Sequence, residues 1–586
     1  MANELTIPQK VKGASVTFSV KVGGTAVPQT MEIFSATVTR EINRIPSAKL
    51  VILDGEPAKG NFAVSAADTF LPGKEIEIFA GHQSSEDSIF KGIIVRHGIS
   101  ARRNGASQLS LECKDPSFRL TLGRKSNYFT KTTDTNVANT FITNAKLKAG
   151  NIEDTKSEFP LLVQYDSSDW DFLVSRMDIN GKLVIANDGT IDIVSPNFNS
   201  NPVLTLEYGG TIHEFDAEMD VRNQYKAVKA IAWDHTTQDL LQVDGKEPKA
   251  ANENGNIKST DLADATGLEE LVLRHAGLIS REELQAWANA GWQKSRLAKI
   301  RGRVTFDGYA GIRPGQLIVL KGLGERFNGK VFVSAIRHEL AKGGWVTTAQ
   351  FGIKNEWFSE QFSPPLTSGS LLPGIHGLHT AAVVQIEKDP DGEDRVLVRI
   401  PMVNIKTDGI WARVATLDAG KQRGSFFRPE VGDEVVVGFI NNDPRQAVIL
   451  GMLNSSKLPA AIQAEKSNKV KGFFFANKMK LLFNEEDKSM TYESPAGNKI
   501  IATEKQGDEG ITLQDQNGSK IILNKDGITL ESAKKIMFKA SSGDIEVEGI
   551  NIKQKAQAEF KAEGSAGVEV SSSAIAKLKG SLVQIN

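Results

Sequence analysis

Few places in the chain bring together side chains that could do chemistry. Gly322-Leu-Gly324-Glu-Arg-Phe327 opens like a dinucleotide-binding glycine loop, but Phe327 stands where the third glycine belongs. Asp389-Pro-Asp391-Gly392 begins like a calcium loop, yet its glycine comes too early for one, so the segment reads as a hairpin turn. His376-x-x-His379 could share a metal ion only with a third ligand, and the flanking linker supplies none. Cys113 sits in an alternating strand and reads as a small buried residue. No GxxxxGK[ST], HExxH or GxSxG motif occurs, and all 8 histidines precede residue 380. Nothing assembles a nucleophile, a base and oxyanion donors. The expectation is a protein that is not an enzyme, with no catalytic residue, no metal and no cofactor.

The whole chain sets the frame. Its 586 residues suffice for about three or four domains. Lys and Arg total 70 against 71 Asp and Glu, a formal net charge of −1, which offers no field for a nucleic-acid backbone or an anionic membrane. A single cysteine cannot form an intrachain disulfide, which suits a reducing compartment. The N-terminus lacks a basic region followed by an apolar one, so synthesis in the cytoplasm and export without a signal peptide are expected. No apolar run reaches the ~18–20 residues of a membrane helix.

Residues 1–130 read as β, with alternations such as Lys74–Phe79 and Gln108–Cys113. Helices are predicted at 135–148 behind Thr133/Asp134 caps, from Ser168 to Ile179, at 267–276, and at 281–298 behind Ser280-x-x-Glu283. Residues 236–260 read as a polar loop, β resumes to about 356, and 359–374 reads as a linker. An internal echo joins two regions. Pro72-Gly73-x-x-Ile76, Phe90-Lys-Gly92 and Arg96-His97 return as Pro314-Gly315-x-x-Ile318, Phe327-Asn-Gly329 and Arg337-His338, the copies ending in turns at Asn104-Gly105 and Gly343-Gly344. The order of matched elements predicts two similar β-barrels separated by an α/β insertion.

The tail from 470 differs from the rest. Ile522, Leu530, Phe538, Ile552, Phe560 and Val568 recur at steps of eight with one slip, a period suiting a short strand plus a corner. One such chain buries too little to offset its ordering entropy. Three chains wound into a triangular prism bury more, with neighbouring strands on a face drawn from different subunits and these residues as the trimer core. A single-chain β-solenoid is the alternative, with laps holding only two interior residues.

"DPDGEDRVLVRIP" (389–401), "IWARVAT" (410–416) and "GSFFRPEVGDEVVVGFINNDPRQAVILGML" (424–453) resemble the OB-fold domain of the VgrG spikes of type VI secretion systems. "VQYDSSDWDFLVSRMDINGKLVIANDG" (163–189) is similar to that family's hub segment, and "GSLVQIN" (580–586) to the way such spikes end. Arg399-Ile-Pro401-Met replaces the FHWD-type stretch of many members, which suggests a divergent branch. The resemblance implies a mainly β fold: an α+β phage-baseplate-like hub over 1–370, an OB-fold neck over 375–455, a linker over 456–469, and a three-chain β-prism over 470–586. It implies a homotrimeric spike that docks on a hexameric tube and baseplate components, carries effectors, and touches a target membrane transiently while puncturing it. Leu582, Val583, Gln584, Ile585 and Asn586 are the expected seat of a PAAR-type tip protein. An extracellular injection particle or phage-like tail is the nearby alternative, and a tailspike that binds or cleaves polysaccharide the distant one.

Overall fold

The computed structural model describes residues 15–585 except 84, 104, 235, 236, 238, 249–253, 276–278, 342, 362–374, 404, 405, 407 and 408. The expected turn at Asn104 and most of the expected linker, along with the tip residue Asn586, therefore lie outside the described residues. The chain forms two compact units, one ending at Gly374 and one beginning at Ile375.

In the first unit a thirteen-stranded sheet bends around two apolar cores. Its N-terminal half runs in the order Val16–Val22, Glu75–His82, Ser85–Ser100, Gln108–Lys114, Ser47–Leu53, Ile33–Glu41. The C-terminal half repeats it as Leu204–Glu207, Leu317–Lys321, Gly329–Ala341, Gly344–Phe351, Ile300–Asp307, Ile212–Met219. The two halves join where Ile33–Glu41 pairs antiparallel with Gly329–Ala341. One difference separates them: the first strand of the first half is antiparallel to its neighbour, and its counterpart is parallel.

The Pro-Gly turns superimpose bond for bond. Gly73 at φ 95° donates to the Ile94 carbonyl at 2.8 Å, and Gly315 at φ 89° donates to Val333 at 2.8 Å. Both positions need the left-handed backbone that glycine adopts without strain. Each long strand then bulges at the same place, after Ile94 and after Val333. The pairing corrects the remaining echoes. Ile76 faces Gly92 and Ile318 faces Val331, so Gly92 corresponds to Val331 and not to Gly329. Arg96 likewise corresponds to Ala335 and not to Arg337. The strand order is repeated, whereas those two sequence matches are each displaced by two residues.

Between the halves lies the α/β insertion. Helix Asp134–Asn144 starts where the Thr133 hydroxyl accepts from the Asn136 amide, and helix Asp169–Ile179 where Ser168 accepts from Asp171. Their stripes of Val137, Phe141, Trp170, Leu173, Val174 and Met177 pack into one core. Helix Arg281–Leu297 starts at Ser280 as read, but the Glu283 carboxylate reaches Arg176. Two expectations fail nearby. The stretch read as helix 267–276 holds a strand, Glu270–His275, parallel to Ala227–Asp234; the helix ends earlier, at Thr266, against Gly267 at φ 68°. The segment read as a loop contains Asp239–Asp244, paired on the other side of Ala227–Asp234. In both cases an open sheet edge decided the conformation over local propensity.

One buried arginine ties the insertion to the sheet. Arg40, 1% exposed, donates through Nη2 to the Ile89 carbonyl and to Asp188 Oδ1, both at 2.8 Å, and through Nη1 to Asn187. Asp188 sits at the tip of the hairpin Leu183–Asn187 to Thr190–Val194, and it also accepts from the Lys91 amide at 2.9 Å. His338, fully buried with Nδ1 2.9 Å from Thr347 Oγ1, is held neutral to about pH 3 by burial first and then by the charges of Arg40 and Arg313. In the unfolded chain it protonates near pH 6.5, so unfolding takes up a proton below that value and the fold loses stability as pH falls from about 6.5 towards 3. His338→Gln should flatten that part of the urea-midpoint-versus-pH curve; an unchanged slope would refute the assignment.

In the second unit, His379–Gln385, Val396–Arg399, Ile410–Val414, Ala447–Leu453 and Glu434–Phe439 close a five-stranded barrel around Ala381, Val396, Val398, Val435, Val437 and Ile449. Seven five-residue strands follow in one antiparallel ladder from Val470–Phe474 to Gly527–Glu531. Residues 532–585 contain no strand paired within the chain.

Candidate assembly surface

The motifs that opened the sequence reading resolve into turns and packing. Asp389 accepts from the amides of Asp391, Glu393 and Arg395, and the Arg395 guanidinium forks onto it. The Arg395 hydrogen bonds hold the Asp389 carboxyl well below the usual carboxylate range. The His379 Nε2 lies 3.0 Å from the His376 carbonyl oxygen. Cys113 is buried and its thiol is pushed up to about 12 by desolvation, which leaves it unreactive. Among the described residues no group of three His, Cys, Asp or Glu has a metal-holding arrangement. A cleft of about 610 Å³ in the first unit is lined by charges matched within it: Asp178 with Lys294 at 2.8 Å, Glu218 with Arg301 and Asp216 with Arg303 at 2.7 Å. No helix among the described residues is long and apolar enough to cross a membrane.

The ladder from 470 to 531 is different, because its two faces differ in kind. Directly opposite residues of an antiparallel pair share a face. Following the pairs gives one unbroken row, Phe473, Leu481, Tyr492, Ile500, Leu513, Ile521 and Leu530. A second row on the same face runs Phe483, Met490, Ala502, Ile511, Leu523 and Ile528. The other face alternates Leu482, Thr491, Ile501, Thr512, Ile522 and Thr529 beside a charged row in which Glu493 meets Lys480 at 3.0 Å and Lys499 at 3.6 Å.

The apolar face is uncovered in a single chain. Its large side chains are mostly between 36% and 45% exposed, and Ile528 reaches 72%. Burying one such side chain is worth about 1.5–3 kcal/mol, and contiguous apolar surface of this extent marks an interaction site. Phe427 of the barrel unit stacks on Phe473 at 5.4 Å and carries the apolar row onwards.

The register divides the expected core residues between two faces. Ile522 faces Thr529, and Leu530 faces Ile521, so Ile522 and Leu530 lie on opposite faces and only Leu530 belongs to the apolar one. Partners across this hairpin are separated by odd numbers of residues, so a step of eight lands on the wrong face. The expectation that neighbouring strands come from different subunits also fails here, since all seven strands pair within one chain. Farther on, Phe538, Ile552, Phe560 and Val568 stand 54–67% exposed, and the tip residues Leu582, Val583 and Ile585 stand 53–85% exposed, with Gln584 exposed beside them.

A closed five-stranded barrel is thus followed by a short-stranded ladder with a bare apolar face. Residues 379–453 match the type VI secretion system/phage-baseplate injector OB domain, and 489–548 the phage baseplate V C-terminal trimerisation domain. Residues 12–342, more than half of the chain, match the Alg8 N-terminal domain. The chain belongs to the Alg8 N-terminal domain family, and its second unit carries an injector-type OB domain and a baseplate trimerisation domain. It is 38% identical over 90 residues to the type VI secretion system spike protein VgrG3 of Vibrio cholerae, a match covering 14% of this chain and 8% of the relative. It is 32% identical over 123 residues to VgrG5 of Pseudomonas aeruginosa, covering 19% and 15%. The matches thus span only a small part of either relative. Among solved structures, the 43 kDa tail protein of prophage MuSo2 from Shewanella oneidensis aligns with a TM-score of 0.44 at 11% identity, over 58% of this chain and 99% of that one.

Proposed function

We propose that the protein is the homotrimeric spike at the tip of a contractile injection machine and works mechanically, catalysing nothing. The observation that carries this reading is the unbroken apolar face from Phe473 to Leu530, within and beside the matched trimerisation domain. The repeated strand order of the first unit supports docking on a hexameric tube, because three chains bring six similar sheet halves to a ring. In this reading the spike assembles in the cytoplasm and leaves with the machine itself. It punctures a target membrane in passing and carries effectors outward on its tip.

The tip is proposed to seat a PAAR-type protein on Leu582, Val583, Gln584, Ile585 and Asn586, the described members of which present bare apolar and polar groups for strand addition. Two measurements test the function. Light scattering of the full chain should give three times 63.7 kDa. A PAAR-type protein should be retained by the full spike and lost from a version lacking 580–586 that is still a trimer. Equal retention by both would refute the tip assignment, and a monomer would refute the spike.

A further inference from the structure

We infer that the first unit carries a strand junction made between chains: residues 214–220 of one copy add antiparallel to residues 96–102 of the next. This seam copies, in the same register, the one that joins the two halves within a chain. It rests on the trimer proposed above and specifies where its copies meet in the first unit.

The repeated strand order leads to it. Within a chain, Ile33–Glu41 of the first half pairs with Gly329–Ala341 of the second. The counterpart of Ile33–Glu41 is Ile212–Met219, and both strands bulge once, after Ile33 and after Ile212, which aligns Val38 with Ala217. Among the described residues Ile212–Met219 pairs on one side only, with Ile300–Asp307, and its outer edge is open. The counterpart of Gly329–Ala341 is Ser85–Ser100. Its pairing with Glu75–His82 stops at Ile93, so residues 96–100 pair only with Gln108–Lys114. Each chain thus presents one open strand and one open slot of the kind that strand fills. Carrying the intrachain register across places Arg96 opposite Asp220, Ile99 opposite Ala217 and Arg102 opposite Glu214. Burial marks the same positions. Val38 and His338, which face each other at the intrachain junction, are both 0% exposed, whereas their counterparts Ala217 and Ile99 are half-buried and 55% exposed. Charge agrees. Exposed Arg102 meets exposed Glu214, and small Gly98 and Ser100 lie opposite Glu218 and Asp216, which Arg301 and Arg303 already hold at 2.7 Å. Strand and slot lie at different places on the chain, so the contact runs head to tail, and no edge stays open once it closes into a ring. The occupant of the slot is a second copy of this chain.

Cysteines read the seam directly. Opposite residues of an antiparallel pair alternate between hydrogen-bonded positions and closer, non-hydrogen-bonded ones, so one of two adjacent pairs suits a disulfide. Full-length chains carrying Ile99→Cys with Ala217→Cys, or Ser100→Cys with Asp216→Cys, are oxidised as native protein; Cys113 is buried and takes no part. One of the two pairs is expected to give covalent dimers and trimers in non-reducing denaturing gels, while each single-cysteine variant runs as one chain. A further Arg102→Glu should lower the covalent yield severalfold, and adding Glu214→Arg should restore it. A yield indifferent to Arg102→Glu would overturn the pairing of Arg102 with Glu214. A trimer by light scattering with neither pair cross-linked between chains would overturn the seam and leave the spike standing, as would a bond closed within one chain. A monomer would overturn the trimer and the seam with it.

Discussion

Leu513→Asp in the full-length chain is expected to convert the trimer into monomers or into spikes with an unassembled tail. Leu513 sits mid-row between Ile500 and Ile521, and threefold assembly would bring three carboxylates to one dry axis. Each uncompensated charge costs several kcal/mol there. Ile522→Asp, one residue past Leu513's partner, should leave the mass at three chains, because its side chain lies on the face with Thr512 and Thr529. The comparison is sharp: two aspartates, in the adjacent strands 510–514 and 520–524 but on opposite faces, with opposite outcomes by light scattering. Equal sensitivity at both sites would sink the face assignment.

The second large effect is expected at Arg40. Arg40→Met removes the guanidinium but keeps most of the side-chain volume, leaving the Ile89 carbonyl without its side-chain donor and the part-exposed Asp188 carboxylate with the Lys91 amide alone. Removing the buried partner of such a half-buried network costs about 1–3 kcal/mol. The first unit should unfold at clearly lower urea, followed by tryptophan fluorescence, while the trimeric tail is retained. Arg40→Lys should not restore it, since a single ammonium cannot reach the Ile89 carbonyl and the hairpin tip at Asp188 with one planar fork. A shift below 1 kcal/mol for Arg40→Met would show that the arginine is not what ties the insertion to the sheet.

Much of this was legible in the sequence wherever a local signal had a local cause. Ser168, Thr133 and Ser280 start helices because their hydroxyls satisfy the first free amides. Gly73 and Gly315 mark repeated turns because both need positive φ. The strands of the OB barrel follow alternating runs such as Glu434–Phe439. What stayed hidden depended on partners distant in sequence. The strand Glu270–His275 looks helical until Ala227–Asp234 offers it an edge. Arg40 stands in an ordinary alternating strand, and nothing in the sequence points to Asp188 as its partner. The assembly surface was half legible: the tail's apolar content predicted association, but a period of eight could not tell which parity faces inward. Parity is set by where each turn falls, and the two-residue turn before Gly527 pairs Ile521 with Leu530 and Ile522 with Thr529.

The composition of the apolar face has a further consequence, for errors in assembly. Past Lys471 at one end, rows made of Phe, Leu, Ile and Met carry no charge or amide to mark position. A neighbouring copy slid by one rung, about 4.8 Å, would still cover grease with grease. The departures from uniformity are Ala502, a notch between Met490 and Ile511, and Tyr492, a hydroxyl between Leu481 and Ile500. These two neighbouring residues are the vernier of an otherwise unmarked scale, and misaligned spikes should accumulate first in variants that erase them.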